Sequence, residues 1–214
     1  MLIAEDLLLA ALDPRTGRPV NSSEQPLGPC LSGALVSELA LGGAVVLSGK
    51  RFVVTGSLPP GGLLREAYDA LASPKGRRAA DQLRRLDKQL GKAWSRVVDG
   101  LVESGVVGRD PRGWWQLTAH PVLRPDLRAE VVGRLRTAAA GSGPIEPRTA
   151  VLLALAGPAR LLEVVADKPH THAKARIAEA SEQSPVADIV RKVIAEAAAA
   201  AGAVATVVVV AGSS

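Results

Sequence analysis

A chain of 214 residues and 22.1 kDa has room for one domain with a full core or for two small ones, and excludes a large multidomain machine. Hydrophobic residues at 47% and charged residues at 22% lie far from the signature of disorder. A lone cysteine, Cys30, excludes an internal disulfide framework, a CxxC redox pair and a multi-thiolate zinc site, and the net charge of +5 favours an anionic partner.

The amino terminus, Ile3 to Leu12, reads as a helix, with Leu2, Leu8, Leu9 and Leu12 among the candidate buried residues, ended by Asp13-Pro14 and Gly17. Glu5 and Asp6 interrupt its apolar run, and no basic leader precedes it, so it does not read as a signal peptide. A loop rich in Pro, Ser and Gly follows to Pro29, then a second helix over Leu31 to Leu41, stopped by Gly42-Gly43. Ala44 to Leu47 and Phe52 to Thr55 form a candidate hairpin around Gly49, and Leu63 to Ala72 a helix ended by Ser73-Pro74.

Residues 75 to 96 carry a charge of +6, more than the whole chain, whereas residues 1 to 50 carry −2. That basic segment opens a long helix, 77 to 104, in which Leu83, Leu86, Leu90, Ala93, Val97 and Leu101 form a buried stripe. On another face Arg84, Lys88, Lys92 and Arg96 step along at i, i+4 as a cationic row suited to phosphate. A solvated face is the equally simple reading of such a row.

Val106 to Leu117 reads as a hairpin with a turn over Arg109 to Gly113, and two adjacent indoles, Trp114 and Trp115, follow that turn. In a strand the two would point to opposite faces, one to the core and one to solvent, a partner or a membrane interface, where Arg109 and Arg112 would also settle. A helix follows Pro121 to Thr137, then a Gly/Ser/Pro linker over 141 to 147, then helices over Thr149 to Val165, Lys174 to Ala180 and Val186 to Ala201. The apolar tail, Val193 to Ala211, is broken by Glu196 and suits a core or docking helix better than a membrane span.

Catalytic motifs are missing: no GxSxG, HExxH, P-loop or GxGxxG occurs. His170-Thr171-His172 reads as a solvated, Pro-bounded turn, His120 as a turn or capping residue, and Cys30 as a small core hydrophobe. Glu5 and Asp6 occupy adjacent helical positions about 100° apart, which argues against a shared acid–base site. No cofactor is expected.

Four segments in this order resemble the Golgi phosphoprotein three family: Glu5 to Leu12, Gly33 to Gly43, Leu101 to Val107, and Thr118 to Pro121. The resemblance spans nearly the whole chain. It implies a mainly α-helical single domain, residues 1–214, with a projecting hydrophobic β-hairpin at about 106–117 that inserts into membranes and mediates self-association. It also implies a non-enzymatic peripheral membrane protein that reads phosphatidylinositol 4-phosphate. Eukaryotic members bind that headgroup through a Trp and three Arg, and the four positions fall here on Ser23, Ser32, Gly91 and Trp94, none of which carries the family's residue. Lys88, Lys92 and Arg96 lie within about one turn of the lost Arg positions and offer a displaced anion site.

The composition resembles that of a GC-rich bacterial gene product. The leading expectation is therefore a cytoplasmic protein held against the inner face of the membrane by anionic lipid, with a homo-oligomer joined through the hairpin as a further expected partner. The alternative is a winged-helix DNA-binding protein, with the basic helix as recognition helix and the hairpin as wing.

Overall fold

The computed structural model describes residues 1–20, 27–59, 61–73, 78–90, 92–110 and 119–190. The order of elements is α1 (Ile3–Ala11), α2 (Leu27–Leu41), β1 (Val45–Ser48), β2 (Arg51–Val54), α3 (Leu63–Ala72), α4 (Ala79–Gln89), α5 (Ala93–Glu103), α6 (Pro125–Ala140), α7 (Pro147–Ala156), α8 (Leu162–Val165) and α9 (Thr171–Glu182). Residues 185–190 are again helical. Among the described residues the fold is mainly helical with one small two-stranded antiparallel sheet, β1–β2, as the sequence leads one to expect.

A helix that is apolar all round must be surrounded. That is true of α1, buried from Ile3 to Ala11 except for Glu5, and of α7, buried from Thr149 to Ala156. These two and α2 touch one another and form the centre. Helices α3, α4 and α5 pack on α2, while α6 and α9 pack on α7. Gly33 of α2 lets residues 185–190 approach, since a Cβ there would lie 2.3 Å from Val190 Cγ2.

Three sequence expectations about boundaries are corrected. Helix α2 begins at Leu27, not after Pro29, because a proline in the first turn gives up an N–H that has no intrahelical partner there. The apolar run Thr149 to Val165 is two helices, α7 and α8, separated at Gly157-Pro158. The long basic helix is also two, α4 and α5, with Lys92 between them at φ 75°.

The β1–β2 hairpin turns on Gly49 at φ +60° and Lys50, a two-residue connection that needs glycine first. Val45 and Phe52 face the core. The side chain of Gln82 on α4 closes the outer edge of β2: its Oε1 accepts from the Phe52 N–H at 2.8 Å, and its Nε2 donates to the Phe52 carbonyl at 2.9 Å. The Ala79 N–H donates to the Lys50 carbonyl at 2.6 Å, so the start of α4 holds the turn.

Charges tie the central helices at their ends. Glu5 accepts from the Leu2 N–H at 2.7 Å, whereas Asp6 turns inward and pairs with Arg134 of α6 at 3.2 Å. The two carboxylates diverge, as their spacing requires. Glu38 of α2 accepts from the Ile3 N–H at 2.6 Å and pairs with Arg148 of α7, which also donates to the Met1 carbonyl. Burial pushes the Asp6 carboxyl above its ordinary range, against the downward pull of Arg134 and Arg148.

Two stability measurements check these joints. Gln82→Leu leaves the Phe52 N–H and carbonyl without partners, and denaturant unfolding should show a loss of about 2–3 kcal/mol, with faster exchange at the Phe52 amide. Arg134→Met removes a group that lowers the Asp6 pKa, so the folded value rises further above the unfolded one. The native state then holds the proton over a wider window, and stability falls as pH rises through the raised folded value. The expected loss is about 2 kcal/mol near neutrality, shrinking toward acid where Asp6 is protonated.

Candidate functional site

The junction between α4 and α5 is built by one aspartate. The Asp87 carbonyl accepts from the Lys92 N–H at 2.9 Å, and its Oδ1 accepts from the Ala93 N–H at 3.0 Å. One residue thus ends α4 and caps α5. Gly28 of α2 passes over this carboxylate, where a Cβ would lie 3.3 Å from Oδ1.

The break changes the cationic row. Arg84 and Lys88 lie on α4, Lys92 is the left-handed cap, and Arg96 lies on α5, so the four do not run along one helix. All four are exposed. Arg84 pairs with Asp81 at 3.3 Å, and Arg96 pairs with Glu66 of α3. Lys88 and Lys92 make no ion pair among the described residues, and neither does Arg85, exposed beside them. Arg85 was not singled out from the sequence, although it is in the same charged run.

Helix α5 also anchors the second hairpin. Val107 pairs with Val122 and Asp110 with Ala119, both antiparallel, so the arms run over 107–110 and 119–122. The Gly108 N–H donates to the Pro121 carbonyl at 2.8 Å. Arg109 on one arm pairs with Asp99 of α5, and His120 on the other sits with its ring centroid 6.2 Å from that of Trp94. His120 is buried, with Nδ1 3.3 Å from the Gly108 carbonyl, and its N–H donates to the Gly17 carbonyl at 2.8 Å. It is a packing residue of the arms rather than a turn or cap. Gly17, at φ +65°, is required there because a Cβ would come within 2.7 Å of the His120 and Pro121 backbone.

The arms therefore start next to Lys92 and Trp94. Arg112, Trp114 and Trp115 belong to the eight-residue connection 111–118 between the arms, which lies outside the described residues. Ser23 and Gly91 lie outside them too. Ser32 is fully buried inside α2, and its Oγ has no hydrogen-bond partner among the described residues.

Elsewhere, a cleft of about 460 Å³ is lined by Arg134, Thr137, Glu146, Thr149 and Arg176. Its cations are committed: Arg134 to Asp6, and Arg176 to Glu179 and the carbonyls of Ala138 and Gly143. His170 starts α9 and His172 lies within it, so this pair is a helix start and not a loop. No group of three His, Cys, Asp or Glu among the described residues could hold a metal, and none of the described helices is long and apolar enough to cross a membrane. Cys30 is buried, and burial pushes its thiol far up.

No curated protein matches the chain. The family model of Golgi phosphoprotein 3 (GPP34) matches residues 3–197, nearly the whole sequence. With its helical body and the Glu5 to Leu12, Gly33 to Gly43 and Leu101 to Val107 segments at the centre and at the root of the second hairpin, the chain belongs to the Golgi phosphoprotein 3 family.

Proposed function

We propose that this chain is a non-enzymatic peripheral membrane protein that binds anionic lipid headgroups at the α4–α5 junction, with the Trp-bearing connection 111–118 as its apolar anchor. The observation that carries this reading is that Arg85, Lys88 and Lys92 make no ion pair among the described residues and follow the end of α4 to the corner at Lys92, which adjoins the root of the arms that lead to Trp114 and Trp115. Each cation near an anionic leaflet contributes about 1 kcal/mol, and an indole at the headgroup boundary adds anchoring that salt does not screen. Arg84 and Arg96 sit in exposed pairs worth about 0–1 kcal/mol, so exchanging a carboxylate for a lipid phosphate costs them little. Family membership supports the peripheral mode of binding. Phosphatidylinositol 4-phosphate is the headgroup the family implies, and the inner face of a bacterial membrane is the surface this composition suits.

The winged-helix reading gains one observation, since two helices joined by a short turn and followed by a hairpin have that connectivity. Charge puts it second. The exposed side of α5, which would enter the groove, presents Glu103 as well as Arg96 and Asp99, the latter two both in ion pairs.

Vesicle flotation decides between them. The full chain should float with phosphatidylcholine–phosphatidylglycerol vesicles and not with phosphatidylcholine alone. Arg85→Gln, Lys88→Gln and Lys92→Gln combined should weaken binding about a hundredfold. Trp114→Ala with Trp115→Ala should remove the part that survives high salt. Salt-dependent duplex binding indifferent to both Trp changes would support the DNA reading instead, and light scattering with the same variants reads self-association through the hairpin.

A further inference from the structure

The outward side of the β1–β2 hairpin has no structural task in the described fold. Its inner face packs Val45 and Phe52 into the core, and Gln82 closes its β2 edge. Outward, Val46 and Val53 stand directly opposite each other, 47% and 40% exposed, with Arg51 on the same side of the pleat, whereas Leu47, paired with Phe52, is on the inner side near the turn. An apolar cross-strand pair facing water gains nothing from the core.

Cations cluster at the turn end of this hairpin. Lys50 in the turn, Arg51 opening β2 and Arg78 capping α4 are all exposed, and none makes an ion pair among the described residues. Beside the turn lies a cleft of about 470 Å³, with Lys50 and Arg78 at its polar rim and Leu47, Pro185 and Ile189 as apolar lining. Asp188 also lines it and already has a partner. Apolar lining under a cationic rim is chemistry suited to an anionic amphiphile.

The patch is continuous with the α4 cations. Arg78, Arg85 and Lys88 fall within about 80° of one another around the α4 axis. This cationic side therefore starts at the first hairpin and ends, about 16 Å further along, at the junction beside the second.

We infer that the outward face of the β1–β2 hairpin, with Lys50, Arg51 and Arg78, is a second contact surface for an anionic bilayer. Val46 and Val53 enter the headgroup layer and the three cations meet lipid phosphates. The inference rests on the membrane-binding reading above and extends it from one end of α4 to both.

The test places an environment-sensitive fluorophore on Val46→Cys and, separately, on Val53→Cys in the full chain. Cys30 is buried and its thiol is held protonated, so it does not compete for label. With phosphatidylcholine–phosphatidylglycerol vesicles both probes should shift to the blue and be quenched by lipid-borne quenchers, while a probe on Glu130→Cys of α6 stays aqueous. Lys50→Gln, Arg51→Gln and Arg78→Gln should each weaken binding about fivefold. If the protein floats but the probes at 46 and 53 remain in water, this surface is wrong and the junction reading stands. If nothing floats, both fall. Probes already shielded without vesicles, whether by a second copy as concentration rises or by residues 191–214 at any concentration, also overturn the second surface.

Discussion

Asp87 sets the geometry of the α4–α5 corner, on which the proposed binding surface depends. A continuous helix from 79 to 103 would carry residues 92 to 103 straight on from α4. The Asp87 carbonyl and carboxylate instead take the N–H groups of Lys92 and Ala93, so the chain stops, turns through a left-handed residue and starts again. The new direction brings Trp94 to His120 and Asp99 to Arg109, one contact for each arm of the second hairpin. It also leaves Lys88 in the last turn of α4, where a cation is favoured by the helix dipole, and Lys92 at the corner.

Much of the body was legible because the apolar spacing matched the element. Helices α1 and α3 lie where the Leu and Ala periodicity puts them, and the first hairpin turns on Gly49 as the flanking β-branched residues suggest. The α4–α5 break escaped for a specific reason: Leu90 and Ala93 are both buried, so the apolar stripe runs through the corner without a gap. A lone glycine at 91 is tolerated within helices and gave little warning. Gly157-Pro158 was the stronger signal, and the apolar run toward Val165 masked it.

The charges were less legible than the core. Asp81 with Arg84 is an i, i+3 pair that spacing reveals, but Arg96 finds Glu66 and Arg109 finds Asp99 only through tertiary packing. Asp6 and Arg134 lie 128 residues apart in sequence, and their pairing appears only once α1 and α6 are side by side. A count of Lys and Arg thus marks out a basic segment while leaving open which of its members are already neutralised. Arg85 emerges from this sorting and Arg96 recedes.

The resemblance implies that this chain would meet anions without the lipid clamp of the family's eukaryotic members. Of the four positions to which the resemblance assigns that clamp the structure describes two, and both serve the fold: Ser32 is sealed inside α2 and Trp94 packs against the hairpin root. A guanidinium at position 32 would be buried at several kcal/mol of desolvation unless α2 shifted. Cations spread along α4 and its two ends work differently. They attract a charged surface roughly in proportion to their number, weaken with salt, and distinguish poorly between headgroups because no bidentate fork fixes one phosphate. Selectivity in such a protein would come from the spacing of its apolar contacts across a bilayer, which a soluble inositol phosphate cannot satisfy.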